Sequence, residues 1–119
     1  MRSLNKVFLL GHVGHTPELL TTKAGQPYTR LSIATHRRWK EKEEEKWSES
    51  TDWHSVMVWG TLARICTDGI AKGALVFVEG QLSPYSQVRE DGTQETKLSI
   101  HAKKVSFFNN QSVNRESVA

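Results

Sequence analysis

The sequence predicts an all-β domain, a small barrel of five strands with one short helix between the third and fourth strands. Segments rich in β-branched and aromatic residues recur along most of the chain. Glycine and proline residues separate these segments at short intervals, as turns between strands require. Only residues 61–71 carry apolar residues at helical spacing. A chain of 119 residues is long enough for one domain with a single core.

The first two predicted strands differ in their apolar pattern. Residues 7–13 (VFLLGHV) are apolar on both faces, which indicates a strand that is covered on two sides. Residues 28–35 alternate instead, so that Leu31 and Ile33 point toward the core. The connection between the two strands, residues 14–26, carries glycine and proline residues.

The third predicted strand, residues 51–60, holds two of the four tryptophans. In an extended strand the even spacing places Trp53 and Trp59 on one face, whereas Val56 and Val58 point the opposite way, toward a core. Exposed aromatic rings along a strand suit unstacked nucleic-acid bases, because a ring offers a flat surface to any base. The strand alone is equally compatible with two buried tryptophans.

The helix and the last two strands complete the pattern. Residues 61–71 show helical spacing of Leu62, Ile65 and Ile70, with Thr61 as the predicted N-cap. A strand over 75–82 follows, and then Glu90-Asp91-Gly92 marks a hairpin turn before a strand over 96–105. Five short strands with a helix between the third and fourth is the order of the OB-fold, a Greek-key barrel.

The charge of the chain is unevenly distributed. The chain has 16 Lys and Arg residues and 13 Asp and Glu residues, for a net charge of +3. Residues 41–52 hold two of these bases and six of these acids, which leaves 14 bases and 7 acids elsewhere. The protein is therefore interpreted as a basic body with one acidic loop, and a basic body favours a polyanionic partner.

Several classes of protein are disfavoured. The chain has no apolar run as long as a membrane span, and residues 1–10 lack the form of a signal peptide. The single cysteine, Cys66, cannot form an intrachain disulfide and is interpreted as a packing residue in a reducing compartment. His12 and His15 fall on opposite faces of a strand, so they do not predict a metal site. No catalytic residues, metal or cofactor are predicted.

A more specific signal comes from blocks of residues spread over positions 4–107. The blocks are 5–11, 14–18, 31–35, Trp39, 51–54 (TDWH) and 72–82 (KGALVFVEGQL). In this order and near this spacing, they resemble the bacterial-type single-stranded DNA-binding proteins. We accordingly assign residues 1–108 to an OB-fold DNA-binding domain and residues 109–119 to a polar, disordered C-terminal end.

The resemblance implies a homotetramer that binds single-stranded DNA without sequence preference during replication, recombination and repair. Trp39, Trp53 and Trp59 stand where this family places base-stacking aromatics. Arg37 and Arg38 beside Trp39 are the preferred phosphate contacts. The other cations predicted to contact DNA are Lys6, Arg30, Lys40, Lys72, Arg89 and Lys97. The predicted subunit interface consists of Leu10, His54 and Phe77.

The chain departs from the family pattern at two places. Gln87 stands where the family usually carries an aromatic residue, and Tyr85, two residues earlier on the same strand face, is predicted to take over its stacking role. The final residues, 115–119, carry no acidic cluster like the one that recruits partner proteins in bacterial members. Recruitment through such a tail is therefore not expected. The expected location is the cytoplasm, at the nucleoid, or an organellar matrix after removal of a transit peptide.

Two other functions stay open at this stage. A dimeric OB-fold accessory of replication restart, resembling primosomal replication protein N, shares the barrel and also lacks an acidic tail. An OB-fold can also bind a protein or an oligosaccharide. Trp47, within the acidic loop, fits either a loose ring on a mobile loop or a stacking role. The carboxylates around it would either keep DNA from the loop tip or cover a basic groove when DNA is absent.

Overall fold

The computed structural model describes residues 2–43 and 45–109, and for residues 115–118 it describes the backbone. In chain order the elements are β1 (Val7–Val13), β2 (Leu20–Thr21), β3 (Pro27–Lys40), β4 (Trp47–Trp59), α1 (Gly60–Gly69), β5 (Leu75–Val88), β6 (Gln94–Phe108) and β7 (Arg115–Val118).

Five long strands form a closed barrel. The strands lie side by side in the order β1-β5-β6-β4-β3, and β1 pairs again with β3 to close the ring. Neighbouring strands are antiparallel except β4 and β6, which run parallel where Val56 lies beside Ile100. The predicted OB-fold, with its helix between the third and fourth long strands, is confirmed.

The core consists of the inward-facing residues of these strands. Alternate residues of β3 and β4 are fully buried, including Leu31, Ile33, Val56 and Val58 at 0% exposure. Thr29 is the buried polar residue of this row, and its hydroxyl donates a hydrogen bond to the carbonyl of Glu18. The predicted inward residues of both strands are therefore confirmed.

The helix packs on the barrel through small residues. Ala63 and Cys66 are fully buried in the core, whereas Ile65 is exposed, so the predicted apolar face was wrong at that position. The predicted cap was also wrong: Trp59 occupies the N-cap position, and no side chain caps the helix. Burial raises the pKa of the Cys66 thiol to about 12, so it stays protonated at neutral pH and serves as a packing residue.

The predicted acidic loop, residues 41–52, is strand from Trp47 onward, because β4 begins there. β3 and β4 pair continuously from Tyr28 opposite Trp59 to Lys40 opposite Trp47. Only residues 41–46 connect the two strands. This hairpin extends beyond the barrel, where both faces meet solvent and charged residues are tolerated within strands.

β5 and β6 form a second long hairpin that is irregular at one position. The register shifts between Glu79 and Gly80, which leaves Lys103 as an extra residue on β6. A Cβ atom at Gly80 would lie 2.2 Å from the carbonyl oxygen of His101, so the two backbones approach too closely for any other residue. The predicted turn at residues 90–92 is confirmed, with Gly92 at φ 89°.

Two further predictions differ from the structure. β1 is covered by the core on one side, but Phe8 and Leu10 are 59% and 55% exposed on the other. Within the predicted disordered end, residues 115–118 form a strand that pairs with β6, and residues 110–114 and 119 lie outside the described residues. Among the described residues, no helix is long and apolar enough to cross a membrane.

Candidate nucleic-acid interface

The outward face of β4 carries exposed aromatic side chains. Trp53 is 60% exposed and Trp59 is half-buried, while Val56 and Val58 between them lie in the core. The possibility of two buried tryptophans is thereby ruled out for Trp53. The Trp59 ring packs against Tyr28 on β3, with the ring centroids 5.0 Å apart.

The exposed ring of Trp53 rests on the backbone of Gly14. A Cβ atom at Gly14 would lie 2.6 Å from the nearest atom of the Trp53 ring. A side chain at position 14 would therefore displace the indole. The glycine lets the ring lie close to the barrel while one surface of it still faces solvent, which is the arrangement that base stacking requires.

Strand pairing extends this face across four strands. Arg30 on β3 lies opposite Met57 on β4, and Met57 lies beside His101 on β6. His101 and Ser99 in turn lie opposite Gln81 and Ser83 on β5. Together these strands form a groove of about 350 Å³, which is lined by Arg30, Ser55, Met57, Trp59, Ser83, Tyr85, Ser99 and His101. We call the groove and Trp53 the aromatic face.

Tyr85 lies in this groove, on the face for which the sequence predicted it. Its side chain is 45% exposed and lies opposite Lys97 on β6. Gln87 shares this face but is not part of the groove lining. The groove therefore has one aromatic ring on β4 and one on β5.

The extended hairpin separates two residues that the sequence analysis grouped together. By strand parity, Trp47 shares a face with Trp53, whereas Trp39 lies on the opposite face. The Trp39 Nε1–H donates a hydrogen bond of 3.0 Å to Glu41, which also accepts one from the Ser48 hydroxyl. Trp47 is not on a loop, since it begins β4.

The two preferred arginines are likewise separated. Arg37 lies on the Trp39 face and forms a two-bond ion pair with Asp52, at 2.7 and 3.2 Å. Arg38 lies on the other face, with its guanidinium 5.2 Å from the centroid of the Trp47 ring. The expected joint action of Arg37, Arg38 and Trp39 on one surface is therefore wrong.

The predicted phosphate contacts differ in whether they already have partners. Lys6 pairs with Glu79, and Arg89 pairs with Glu95. Within the described residues, no carboxylate lies within ion-pair distance of the other four predicted cations, which are Arg30, Lys40, Lys72 and Lys97. Of these four, Arg30 lines the groove and Lys97 faces Tyr85 at its edge.

A second exposed surface lies on β1 and β5, away from the groove. Leu10 lies opposite Phe77, and the Phe77 ring stacks on Phe8 with centroids 6.1 Å apart. We call Phe8, Leu10 and Phe77 the apolar face. Lys6 borders the apolar face, because the Lys6 ammonium lies 5.6 Å from the centroid of the Phe8 ring.

His54 does not join Leu10 and Phe77, although the sequence analysis placed all three in one interface. Its Nε2 forms a 2.8 Å hydrogen bond with the Thr35 hydroxyl. The imidazole borders a small cavity that is also lined by Leu82 and Leu98, two exposed apolar residues on the β5–β6 hairpin.

Four polar groove residues were not predicted from the sequence as site residues: Ser55, Ser83, Ser99 and His101. Polar residues on an outward strand face give no apolar periodicity, so the only available signal was parity: Lys97, Ser99 and His101 are spaced by two on one strand. In the described part of the chain, no three His, Cys, Asp or Glu side chains cluster as a metal site would require.

Known proteins resemble this chain along most of its length. The profile of the single-strand binding protein family matches residues 4–108. Single-stranded DNA-binding protein 1 of Xylella fastidiosa is 32% identical over 98% of this chain and 85% of its own length. Single-stranded DNA-binding protein 1 of Chlorobaculum tepidum is 40% identical over 71% of this chain but only 52% of its own length.

A solved structure shows the same fold. Plasmodium falciparum SSB in complex with ssDNA superposes with a TM-score of 0.82, covering 92% of this chain and 98% of that chain at 24% identity. The profile match spans most of the chain, and both bacterial relatives exceed 30% identity. The chain therefore belongs to the single-strand binding protein family.

Proposed function

We propose that this protein binds single-stranded DNA without sequence preference, by stacking bases on the aromatic face and neutralising phosphates with cations beside it. The observation that carries this proposal is the continuous outward surface on which Trp53, Trp59 and Tyr85 accompany two cations, Arg30 and Lys97, that have no carboxylate partner among the described residues. The membership of the chain in its family supports the same function.

The energetics follow from these side chains. Each stacked base contributes roughly 1–3 kcal/mol, so three aromatic residues supply most of the affinity of one subunit. Each phosphate that a cation neutralises releases counterions, and the affinity therefore falls as salt rises. Stacking accepts any base because every base has a flat aromatic surface, which accounts for the absence of sequence preference.

The apolar face supports assembly into a homotetramer. Two phenylalanines and a leucine contiguous on one sheet surface are exposed in the single chain, and apolar area of this kind is removed from water when subunits pack together. Light scattering tests the assembly directly, because a tetramer has four times the 13.5 kDa mass of the chain. A dimer would instead favour the replication-restart accessory.

In the cell, this binding would protect single strands that are exposed during replication, recombination and repair. The single buried thiol of Cys66 supports a reducing location such as the cytoplasm. The prediction that the chain is not an enzyme is confirmed by its family, whose members bind DNA without catalysing a reaction.

A fluorescence titration tests the proposed function. The chain has four tryptophans, so binding of poly(dT) should quench their emission, with an affinity that falls steeply between low and high salt. Double-stranded DNA of equal length and a neutral oligosaccharide serve as competitors. The proposal fails if either competitor displaces poly(dT) at equal concentration, or if poly(dT) causes no quenching at low salt.

A further inference from the structure

His101 is the one histidine that lines the groove of the aromatic face. Its position is fixed from both sides of β6: Gly80 approaches the His101 backbone closely on β5, and Met57 lies beside it on β4. The side chain is half-buried and points to the same face as Ser99. A histidine at the junction of three paired strands is held in place before any ligand arrives.

The groove around His101 suits an anion. Its lining contains Arg30, His101 and three serine hydroxyls, and no carboxylate among the residues that the structure describes, although the chain has 13 acidic residues. Arg30 has no ion-pair partner among the described residues, so its guanidinium is available to a phosphate. The aromatic rings of Trp59 and Tyr85 stand in the same groove and offer surfaces for the adjoining bases.

The side chains that face His101 come from each strand around it. On β5 they are Glu79, Gln81, Ser83 and Tyr85, and on β4 they are Ser55 and Met57. On β3 the facing residue is Arg30, and along β6 the charged neighbours are Lys97, Lys104 and the extra residue Lys103. Glu79 is the acidic residue of this set, and its carboxylate already pairs with Lys6 at 3.5 Å. A bound phosphate would therefore be an anionic partner for an imidazolium at position 101.

We propose that the groove seats one phosphate of the bound strand between the two rings, held by Arg30 and by His101 in its protonated form. The proposal rests on the proposed function and specifies how one nucleotide is bound. The imidazolium carries a charge that the neutral imidazole lacks, so the protein gains a charged phosphate contact as pH falls. The pH range to examine is about 5 to 8, over which an imidazole side chain ordinarily changes its charge.

The salt dependence of affinity tests this proposal better than affinity alone. Each phosphate contact adds about 0.7 to the slope of log K against log salt for a single strand. The wild-type slope for oligo(dT) should therefore be steeper by about 0.7 at pH about 5.5 than at pH about 8. In His101→Gln, which keeps a polar side chain but cannot become charged, the two slopes should coincide.

Two further variants complete the experiment. Arg30→Gln should lower the slope by about 0.7 at both pH values and keep the difference between them. His12→Gln is the matched control, because His12 is an exposed histidine on β1 and lies outside the groove; it should keep the wild-type pH response. Light scattering at both pH values verifies that assembly is the same for all variants.

The outcomes separate this proposal from the proposed function. If the wild type binds oligo(dT) with one slope at both pH values, or if His101→Gln keeps the pH-dependent difference, the phosphate seat is wrong while the proposed function stands. If the wild type does not bind oligo(dT) at either pH, the proposed function itself fails. The phosphate seat is supported if the pH-dependent difference in slope disappears in His101→Gln but persists in Arg30→Gln and His12→Gln.

Discussion

The two exposed faces of the barrel use aromatic residues in different surroundings. On the aromatic face, Trp59 and Tyr85 are interleaved with serines, an arginine and a histidine. On the apolar face, Phe8 and Phe77 stack on each other beside Leu10. The aromatic face presents both rings and charges to a polyanion, whereas the apolar face presents only apolar surface that a protein partner can bury.

Exposed aromatic residues therefore differ in function according to the side chains around them. Rings accompanied by cations without partners fit a nucleic-acid strand. The one cation on the apolar face, Lys6, is already paired with Glu79 and lies over the Phe8 ring, which leaves the surface suited to another protein surface. β5 contributes to both faces, with Phe77 before the register shift at Gly80 and Tyr85 after it.

The largest effect is expected at the register shift beside Gly80, because β5 carries residues of both faces on either side of it. Gly80→Ala would place a methyl group 2.2 Å from the His101 carbonyl oxygen, so the backbones must separate. We expect the free energy of unfolding to fall by about 3 kcal/mol, measured by urea denaturation. Gly92→Asn is the control: it lies at a turn with open space around it and a left-handed φ that asparagine tolerates, so it should cost less than about 1 kcal/mol. Equal losses in both variants would contradict the close-approach explanation.

The next prediction concerns a substitution that alters only the apolar face. Leu10→Glu places a charge where subunit packing would exclude water, so the mass measured by light scattering should fall below that of a tetramer. Val88→Glu is a matched control, because Val88 is 66% exposed at the end of the β5–β6 hairpin and lies away from this face. If Leu10→Glu remained a tetramer, the apolar face would not be the assembly surface.

A smaller effect on oligo(dT) affinity is expected from a substitution on the aromatic face. Tyr85→Ala removes one ring from the groove, and we expect a loss of oligo(dT) affinity of about fivefold, equivalent to about 1 kcal/mol. Gln87→Ala alters the neighbouring residue on the same strand face and should change the affinity by less than about twofold. An unchanged affinity and unchanged tyrosine quenching in Tyr85→Ala would show that Tyr85 does not replace the missing family aromatic.

Much of the fold could be predicted because the barrel imposes alternation on its strands. The parity of the 51–60 strand correctly separated Trp53 from Val56 and Val58. The length of the β3–β4 hairpin could not be predicted, since strands that leave the barrel have no buried face to require apolar residues. The buried face of the helix was predicted wrongly at Ile65. The smaller residues Ala63 and Cys66 pack closely against the barrel, and Ile65 lies on the exposed side.

The candidate site was predicted only where large side chains marked it. Parity placed Trp53 and Trp59 on one face, and the family resemblance together with parity pointed to Tyr85; the structure places all three on one surface. Arg37 and Arg38 were grouped because they are adjacent in sequence, but adjacent strand residues point to opposite faces. Parity alone could not identify His101 as a site residue, because its proposed role depends on Arg30, 71 positions away in sequence and brought to the same groove by strand pairing.

Base stacking on Trp53 can be measured as the affinity of Trp53→Ala for oligo(dT) at fixed salt. Trp53 is 60% exposed, so its removal should leave the fold and the subunit assembly intact. We expect a loss of affinity of more than about tenfold, at about 1.4 kcal/mol per decade, with an unchanged mass by light scattering. A loss of less than about threefold would contradict this expectation and would make Trp53 a structural residue on Gly14.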